Sequence, residues 1–438
     1  MKLTADSIEK RWLAGIILVG LAARVVTVVI LDIQPDSDYL SYQTMALNLL
    51  EGKGIIDSMG NHAMYNVGYP LFILAPVFAL FGADLLAAQL VNAVLGIAST
   101  AMCYAIANEA GAGRIGRLLA AALWALYLPS WLYAEYLAKE NLMTPLMLGV
   151  TWCALRLTKG ISVKNAAGCG TLLGLLALTG NAGLALVTVV MAALLLAPAR
   201  KGLKFAALLI TFITSGVIAT PWMIRNIYAI GAPVLNTNGG FNLYLGNNPA
   251  ATGYFVSIAD TPRGPTWNTL RGEGEARASE TLQREAVDWI LEHPRRFVEL
   301  ALRKAVLFWT PPLHEGKGQG STMETVARRI WLLQFGVLTI AAIGGAFLSG
   351  LRTRHIGLVW LAIAAYTGVH MIFYVIFRYR EPIMPLLAVL AAANLEVLWL
   401  RWGYERVHSR STRNALAAFV GKGLPTYASI RCRLRTYR

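Results

Sequence analysis

The 438-residue chain is 56% hydrophobic and only 14% charged, whereas soluble domains carry about a quarter charged residues. Apolar runs near 20 residues, each about long enough to cross a ~30 Å hydrocarbon core, recur along it and predict an all-α polytopic membrane protein. In a soluble chain the net charge of +15 would indicate nucleic acid. Here it fits basic residues in cytoplasmic loops and against anionic membrane lipids, so no nucleic-acid partner is expected.

The first apolar run, residues 12–31, is longer than a signal-peptide core and lacks a clear small-residue cleavage site, so it is predicted to be a retained span. Lys2, Lys10 and Arg11 place the N-terminus in the cytoplasm by the positive-inside rule. The same rule, followed along the chain, gives ten spans with both termini inside. The predicted spans are about 12–32, 84–109, 118–134, 141–157, 165–180, 183–197, 205–228, 330–349, 356–377 and 382–400.

Two apolar segments are not counted as spans. Residues 68–82 are short and contain two prolines, and a crossing there would place Arg114 and Arg117 outside, so a segment at the outer surface is favoured. Residues 297–309 carry two basic side chains in their middle, which is typical of an interfacial helix. The predicted regions are a membrane module (1–229) with its first external loop at 33–83, a hydrophilic external region (230–325), the last spans (326–400) and a basic cytoplasmic tail (401–438).

The functional interpretation rests on residues 35–54, directly after the first span. Asp36 and Asp38 lie there at the membrane surface, where a carboxylate is costly unless it is paired or used. The apolar spacing that follows, closed by Gly52, predicts a short amphipathic helix on which Asp38 and Tyr42 share a face. Asp36 also suits the N-cap of this helix and Asp38 its first turn, so a structural role stays open for both.

The predicted topology gathers carboxylates and arginines on one external face. Arginine binds a lipid phosphate through paired N–H donors, and a carboxylate accepts the proton of an attacking sugar hydroxyl. Together they indicate glycosyl transfer from a lipid-phosphate donor. Structural alternatives stay open, since the arginines suit helix ends, the acids suit first turns, and histidine and asparagine are common in loops. The candidate residues are Asp36, Asp38, Tyr42, His62, Glu140, Arg225, Asn247, Arg378 and Arg380.

The four cysteines fall in three apolar segments and in the basic tail, without metal-ligand spacing. Neither a disulfide nor a zinc site is therefore expected.

The chain resembles family 39 glycosyltransferases of the GT-C fold group, which include protein O-mannosyltransferases and the aminoarabinose transferase that modifies lipid A. The stretch after the first span is similar to the first external loop of that family, and the resemblance covers roughly residues 12–400. The matching stretches are DYLSYQTMALNLLEG at 38–52 (Asp38, Tyr42, Ala46, Leu49 and Leu50 before Gly52), GYPLF at 68–72, PWMIRNIYAIGAPV at 221–234 with NGGFNLYLGNNPAATG after it, and RYREPIMP at 378–385.

This resemblance implies a GT-C-like bundle of about ten spans, with juxtamembrane helices in the first loop and a small periplasmic region. It implies an inverting transfer, at the periplasmic face of a bacterial inner membrane, from a polyprenyl-phosphate sugar to a glycan, lipid or protein hydroxyl. Asp38 would be the catalytic base, with Asp36 as the fallback. Phosphate contacts would fall on Arg225, Arg378 and Arg380, and other substrate contacts on Tyr42, His62, Glu140 and Asn247.

No metal ligand is carried over from the resemblance. The aminoarabinose transferase type has a Glu-Lys-Pro run before the segment corresponding to 68–82, where this chain has Tyr65-Asn66-Val67. Dependence on a divalent metal is therefore left open.

A transporter or lipid-linked-glycan flippase is the main alternative function, and a non-catalytic assembly subunit is a third. A transporter should place polar or broken helices near the midplane in paired halves, and an assembly subunit does not need acids and arginines on one surface. The clustering at one face favours the transferase. That function predicts that Asp38, Arg225 and the Arg378–Arg380 pair line one cavity open to lipid.

Overall fold

The computed structural model describes residues 5–31, 33–311, 322–350 and 353–408, and this part of the chain is built from helices. Its β pairing is limited to one isolated bridge between Tyr254 and Val375. The helices are α1 (Ala5–Leu31), α2 (Ser37–Leu50), α3 (Pro70–Phe81), α4 (Leu85–Glu109), α5 (Arg114–Ala125), α6 (Leu128–Glu135), α7 (Glu140–Leu157), α8 (Val163–Thr179), α9 (Asn181–Leu196), α10 (Lys201–Ile230), α11 (Asn238–Gly246), α12 (Trp267–Gly272), α13 (Glu275–Glu292), α14 (Pro294–Trp309), α15 (Thr322–Thr339, continued by Ile340–Gly344 and Gly345–Ser349), α16 (Arg354–Ile372) and α17 (Met384–His408).

Six helices of the described residues are long and apolar enough to cross a membrane, and α5 with α6, bent by 46°, makes up to seven. These seven coincide with seven of the ten predicted spans. At the fourth to sixth predicted spans, α8 and α9 are shorter apolar helices, and α7 is not among the candidates. The structure thus confirms a helical multi-pass protein, whereas the count of ten spans stays a prediction.

Helix α17 lies at the centre of the bundle, because 83% of its apolar stretch is buried. It packs against α4, α5, α15 and α16. A 3₁₀ turn, Phe377–Ile383, leads directly into it. The two arginines in that turn are consequently held at the end of the most enclosed helix.

Arg24 joins α1 to the bend between α5 and α6. Its guanidinium is fully buried and donates to the carbonyls of Gly20 (2.9 Å) and Ala125 (3.3 Å) and to Ser130 Oγ (2.7 Å). A break between helices leaves carbonyl groups without intrahelical partners, and this arginine satisfies one of them. A Cβ at Gly96 would lie 2.5 Å from Arg24 Nε, so the side chain needs a glycine beside it.

Helices α8 and α10 approach closely through two glycines spaced four apart, a small-xxx-small pattern that lets helix backbones come together. A Cβ added at Gly170 would lie 2.2 Å from the Thr211 carbonyl oxygen, and one at Gly174 would lie 2.8 Å from that of Ser215. A backbone carbonyl cannot rotate away as a side chain can, so this contact requires glycine.

We expect Gly170→Ala to lower the thermal unfolding temperature of the detergent-solubilised protein, because overpacking a tight contact costs about 1–3 kcal/mol. Gly216→Ala on α10 is the matched control, since a Cβ there meets nothing within 4 Å. The control should be neutral or slightly stabilising, since alanine favours helix. Equal melting temperatures for the two variants would refute the close contact.

Candidate active site

Asp38 lies in the first turn of α2, and its carboxylate is bound by the Arg378 guanidinium. The preceding turn is set by Asp36, whose carbonyl accepts from the backbone N–H of Tyr39 (2.9 Å), and by Ser37, with φ of +47°. Positive φ is uncommon outside glycine and recurs at functional turns. The Asp36 side chain is exposed and makes no capping bond. The two acids therefore have different surroundings.

Arg378 is surrounded by aromatic rings. Its guanidinium carbon lies 5.6 Å from the centre of the Tyr39 ring and 5.9 Å from that of Tyr379, and Nη1 donates to the Tyr39 hydroxyl at 3.4 Å. Its Nε is buried and has no hydrogen-bond partner among the described residues. One N–H of the guanidinium, at Nη2, therefore binds Asp38, while the N–H at Nε is available to another acceptor.

Arg380, two residues on, is also partly engaged. Nη1 donates to the carbonyls of Phe308 (3.0 Å) and Thr310 (2.9 Å), which fixes the end of α14. Nη2 is buried without a hydrogen-bond partner in the described part of the chain. Glu381 follows, 6% exposed, with Oε1 likewise unpartnered there. The sequence analysis did not select Glu381. Its position between Arg380 and an apolar helix could have marked it as a candidate, because an acid at that place is costly unless it is paired or used.

An apolar groove of about 730 Å³ opens beside these arginines, and we call it the aromatic groove. Arg378, Arg380 and Glu381 belong to its wall, together with side chains from α15. Amphipathic rings and an apolar wall suit a lipid chain with a polar end. Its aromatic side chains include Tyr39, Tyr127, Tyr133, Tyr136, Trp331 and Phe377.

A second space of about 350 Å³, the central cavity, holds Asp38, Tyr42 and Lys139. Arg378 lines both the central cavity and the aromatic groove, so the Asp38–Arg378 pair lies where the two meet. Tyr42 is 2% exposed and packs edge-on against the ring of Tyr65. Burial raises the pKa of the Tyr42 hydroxyl well above its usual value. Tyr42 therefore stays protonated and can donate a hydrogen bond, whereas the carboxylates that line this cavity are Asp38 and Glu275.

Two further spaces adjoin the central cavity. A polar chamber of about 210 Å³ contains Glu140 and shares Lys139 with the central cavity. An open outer groove of about 1,090 Å³ runs along α13 and shares Asn61 and Glu275 with the central cavity. The central cavity thus has three neighbours of different character: one apolar, one small and polar, and one broad and polar.

Arg225 and His62 lie outside the Asp38 cluster. Arg225 donates to the carbonyls of His62 (2.8 Å) and Ile55 (3.0 Å), and it lines neither the central cavity nor the aromatic groove. The His62 backbone N–H donates to Glu275 at 2.7 Å, and the residue borders the outer groove. These contacts correct the expectation that Arg225 shares a cavity with Asp38, because its guanidinium is used to hold the first loop in place.

Asn247 is fully buried, and both ends of its amide are engaged. Nδ2 donates to the carbonyls of Leu243 (2.9 Å) and Ile372 (2.7 Å), and Oδ1 accepts from Lys304 Nζ (3.2 Å). The side chain therefore joins α11, α14 and α16 and has no polar atom left for a substrate.

Lys304 gives a pH-dependent test of this junction, because burial lowers its pKa to about 8, from about 10.4 in an unfolded chain. Below about pH 8 both states hold the proton, and the folded state carries the full cost of the buried charge. Between about pH 8 and 10 the folded state loses the proton first, so its stability should rise relative to Lys304→Met. Thermal unfolding across this range measures the effect. The exposed Lys53, replaced by methionine, should keep the wild-type trend, and parallel profiles for wild type and Lys304→Met would contradict the prediction.

Across the described residues, no group of three or more His, Cys, Asp or Glu side chains is placed to hold a metal ion. Cys103, Cys153 and Cys169 are free thiols, and Cys432 lies outside the described residues. The acids at the site do not form a ligand set, so no step below is routed through a metal.

Neither family models nor curated protein sequences match the chain, but solved structures do. ArnT from Cupriavidus metallidurans in the apo state superposes with a TM-score of 0.54 at 15% identity, over 95% of this chain and 66% of ArnT. The Archaeoglobus fulgidus oligosaccharyltransferase tethered to an acceptor peptide gives 0.56 at 13% identity, over 99% and 53%. The same enzyme, AglB, with an inhibitory peptide and a dolichol-phosphate gives 0.51 at 12% identity, over 98% and 54%.

The chain spans about two thirds of the length of ArnT and about half that of the oligosaccharyltransferase. Both are GT-C glycosyltransferases, and at these identities the likeness concerns the fold alone. This chain is therefore a multi-pass membrane protein with the GT-C fold, which confirms the fold class expected from its sequence.

Proposed function

We propose that this protein is an inverting glycosyltransferase that moves a sugar from a polyprenyl-phosphate donor to an acceptor hydroxyl. The proposal rests on one observation: Asp38 is bound to Arg378 at the junction of the aromatic groove and the central cavity. A lipid substrate and a polar substrate meet a carboxylate and an arginine at that junction. The resemblance of the first loop to family 39 supports the same reaction.

The aromatic groove is proposed to hold the prenyl chain, with the phosphate at Arg378 and Arg380. Each arginine has a buried N–H without a partner among the described residues, and an unsatisfied buried donor costs about 1–3 kcal/mol. A phosphate oxygen satisfies such donors, and arginine binds phosphate more strongly than it binds neutral groups. The dolichol-phosphate seen in AglB supports a lipid phosphate as the ligand.

The mechanism is direct displacement. Donor phosphate draws the Arg378 guanidinium away from Asp38, which frees the carboxylate. The acceptor oxygen then bonds to C1 of the sugar as the C1–O bond to phosphate breaks, and Asp38 takes the hydroxyl proton. The bond electrons leave on the polyprenyl phosphate, whose charge the arginines stabilise in a water-poor site. One displacement inverts the configuration at C1.

The acceptor is proposed to approach through the open outer groove, and the sequence leaves its class open among glycan, lipid and protein. Periplasmic orientation of the site in a bacterial inner membrane, with cytoplasmic termini, stays a prediction from the positive-inside rule. A transporter or flippase is less favoured, because the acids and arginines converge on one site rather than in paired halves.

The test is transfer by the purified protein in lipid nanodiscs. A panel of polyprenyl-phosphate sugars is supplied with lipid, glycan and peptide acceptors, and products are identified by mass spectrometry. Glycosylated acceptor with inverted linkage and release of polyprenyl phosphate are expected. A parallel arm with a chelator and added divalent metal answers the metal question. Folded protein that releases no polyprenyl phosphate from any donor would overturn the proposal.

A further inference from the structure

The polar chamber differs from the other spaces around the site because five asparagines line it, beside aromatic and apolar side chains. It lies between the start of α7, the corner from α8 to α9, α11 and the end of α16. Asn66 Nδ2 donates to Asn181 Oδ1 at 2.7 Å, and Asn242 Nδ2 donates to Asn238 Oδ1 at 2.8 Å. The asparagines that line it are Asn66, Asn181, Asn236, Asn238 and Asn242.

Glu140 is the acidic residue in the wall of this chamber. It is 4% exposed, and its carboxylate interacts electrostatically with the Arg378 guanidinium and the Lys139 ammonium. The Lys139 ammonium also lies 3.4 Å from Asn66 Oδ1. A carboxylate in the wall of such a chamber accepts hydrogen bonds from the group that fills it, so Glu140 is placed to bind a ligand there.

The groups in the wall define the chemistry of that ligand. A carboxylate only accepts hydrogen bonds, whereas each amide both donates and accepts, and hydroxyl groups complement both. The volume of about 210 Å³ is below the range of roughly 300–1,000 Å³ for a drug-sized ligand. The chamber therefore fits one small polyhydroxylated group and excludes a prenyl chain or an oligosaccharide.

The position of the chamber links it to the reacting centre. Asn238, Asn242 and Tyr374 line both the chamber and the central cavity, which contains Asp38 and Arg378. None of the chamber residues lines the aromatic groove. A donor whose phosphate lies at Arg378 thus has separate places for its lipid and for its sugar.

We infer that the polar chamber binds the sugar of the donor, and that Glu140 with the asparagines selects a single hydroxyl-rich monosaccharide. The inference rests on the proposed function and makes Glu140 and Asn236 specificity-determining residues. Asn236 is the better site for a steric test, since its amide makes no hydrogen bond to other described residues.

The test uses Glu140→Gln and Asn236→Leu in the nanodisc assay, with the donor that wild type uses best. Glu140→Gln should raise the donor KM about 10- to 100-fold, the range expected for loss of a hydrogen bond to a charged group. Asn236→Leu, which fills the chamber, should shift preference from polyprenyl-phosphate hexoses toward pentoses. Inhibition by polyprenyl phosphate without a sugar should be no weaker than in wild type in both variants, a result that a general structural defect would not give.

The outcomes separate this inference from the proposed function. Wild-type transfer together with unchanged donor KM and sugar preference in both folded variants would overturn the sugar chamber and leave the transferase intact. Weaker inhibition by sugar-free polyprenyl phosphate, in proportion to the rise in KM, would also overturn it. Glu292→Gln, exposed at the end of α13 and outside every space described above, is the matched control for loss of one carboxylate. Asn236→Ala, which enlarges the chamber, should reduce the preference for one donor sugar over others. If Glu140→Gln does not fold, this variant replaces it in the test.

Discussion

Asp38→Asn should lower the rate of sugar transfer by about 10²–10⁴-fold, the usual contribution of a positioned general base. Asparagine has nearly the shape of aspartate, so α2 and the central cavity should be preserved. The amide cannot accept the hydroxyl proton, however, and it binds Arg378 without a charge. Turnover of the purified variant, measured with the best donor and acceptor, checks the prediction. Its melting temperature should stay close to that of wild type.

Asp36→Asn is the matched control, two positions earlier in the same turn. Its side chain is exposed and makes no capping bond, so this variant should keep nearly wild-type turnover. An Asp38→Asn protein with near wild-type turnover would show that Asp38 is not the base. Loss of transfer in Asp36→Asn alone would move that role to Asp36.

The first external loop was largely predictable, because its signals are local. Apolar spacing and Gly52 predicted a short helix, and α2 runs from Ser37 to Leu50 with Gly52 at φ of +74°. The same spacing put Asp38 and Tyr42 on one face, and both line the central cavity. Helical period and a glycine stop act within a few residues of each other, so a single sequence is enough to detect them.

The partners of the arginines were not predictable, because tertiary contacts determine them. Arg378 binds a carboxylate 340 positions away, and topology predicted only that both lie on one side of the membrane. Topology placed Arg225 on the same side of the membrane, but its guanidinium donates to backbone carbonyls of the first loop. Arg24 lies within the first predicted span, but the sequence did not indicate the bend between α5 and α6 that it binds.

The span count shows a related limit. Hydropathy measures the length and composition of a stretch, so it found the long helices and the apolar pair α5–α6, but it could not show that this pair is bent. It also counted α7, α8 and α9 as spans, and these three crossings stay predictions, because α8 and α9 are shorter apolar helices and α7 is not among the candidates. Neighbouring elements cover such short helices, and those contacts, such as Gly170 against Thr211, are not encoded in a hydropathy window.

Arg378→Gln should weaken donor binding more than any other single substitution in the aromatic groove. Removing one partner of a partly buried charged hydrogen bond costs about 2–5 kcal/mol, which corresponds to about 30- to 4,000-fold in affinity. The donor KM and the inhibition constant of sugar-free polyprenyl phosphate should both rise, because the phosphate is the group that is lost. Arg378→Lys should recover only part of the loss, since an ammonium cannot make the paired contacts of a guanidinium. Arg295→Gln, 94% exposed on α14, controls for the loss of one positive charge.

A double variant separates catalysis from structure at this pair. If the Asp38–Arg378 ion pair only stabilised the fold, Asp38→Asn and Arg378→Gln together would be no worse than either alone, because each single change already removes the ion pair. The proposed mechanism gives the residues separate tasks, proton acceptance and phosphate binding. The double variant should therefore combine the lower turnover of Asp38→Asn with the higher donor KM of Arg378→Gln. Recovery of transfer in the double variant would instead assign the pair to structure and remove the main support for the transferase.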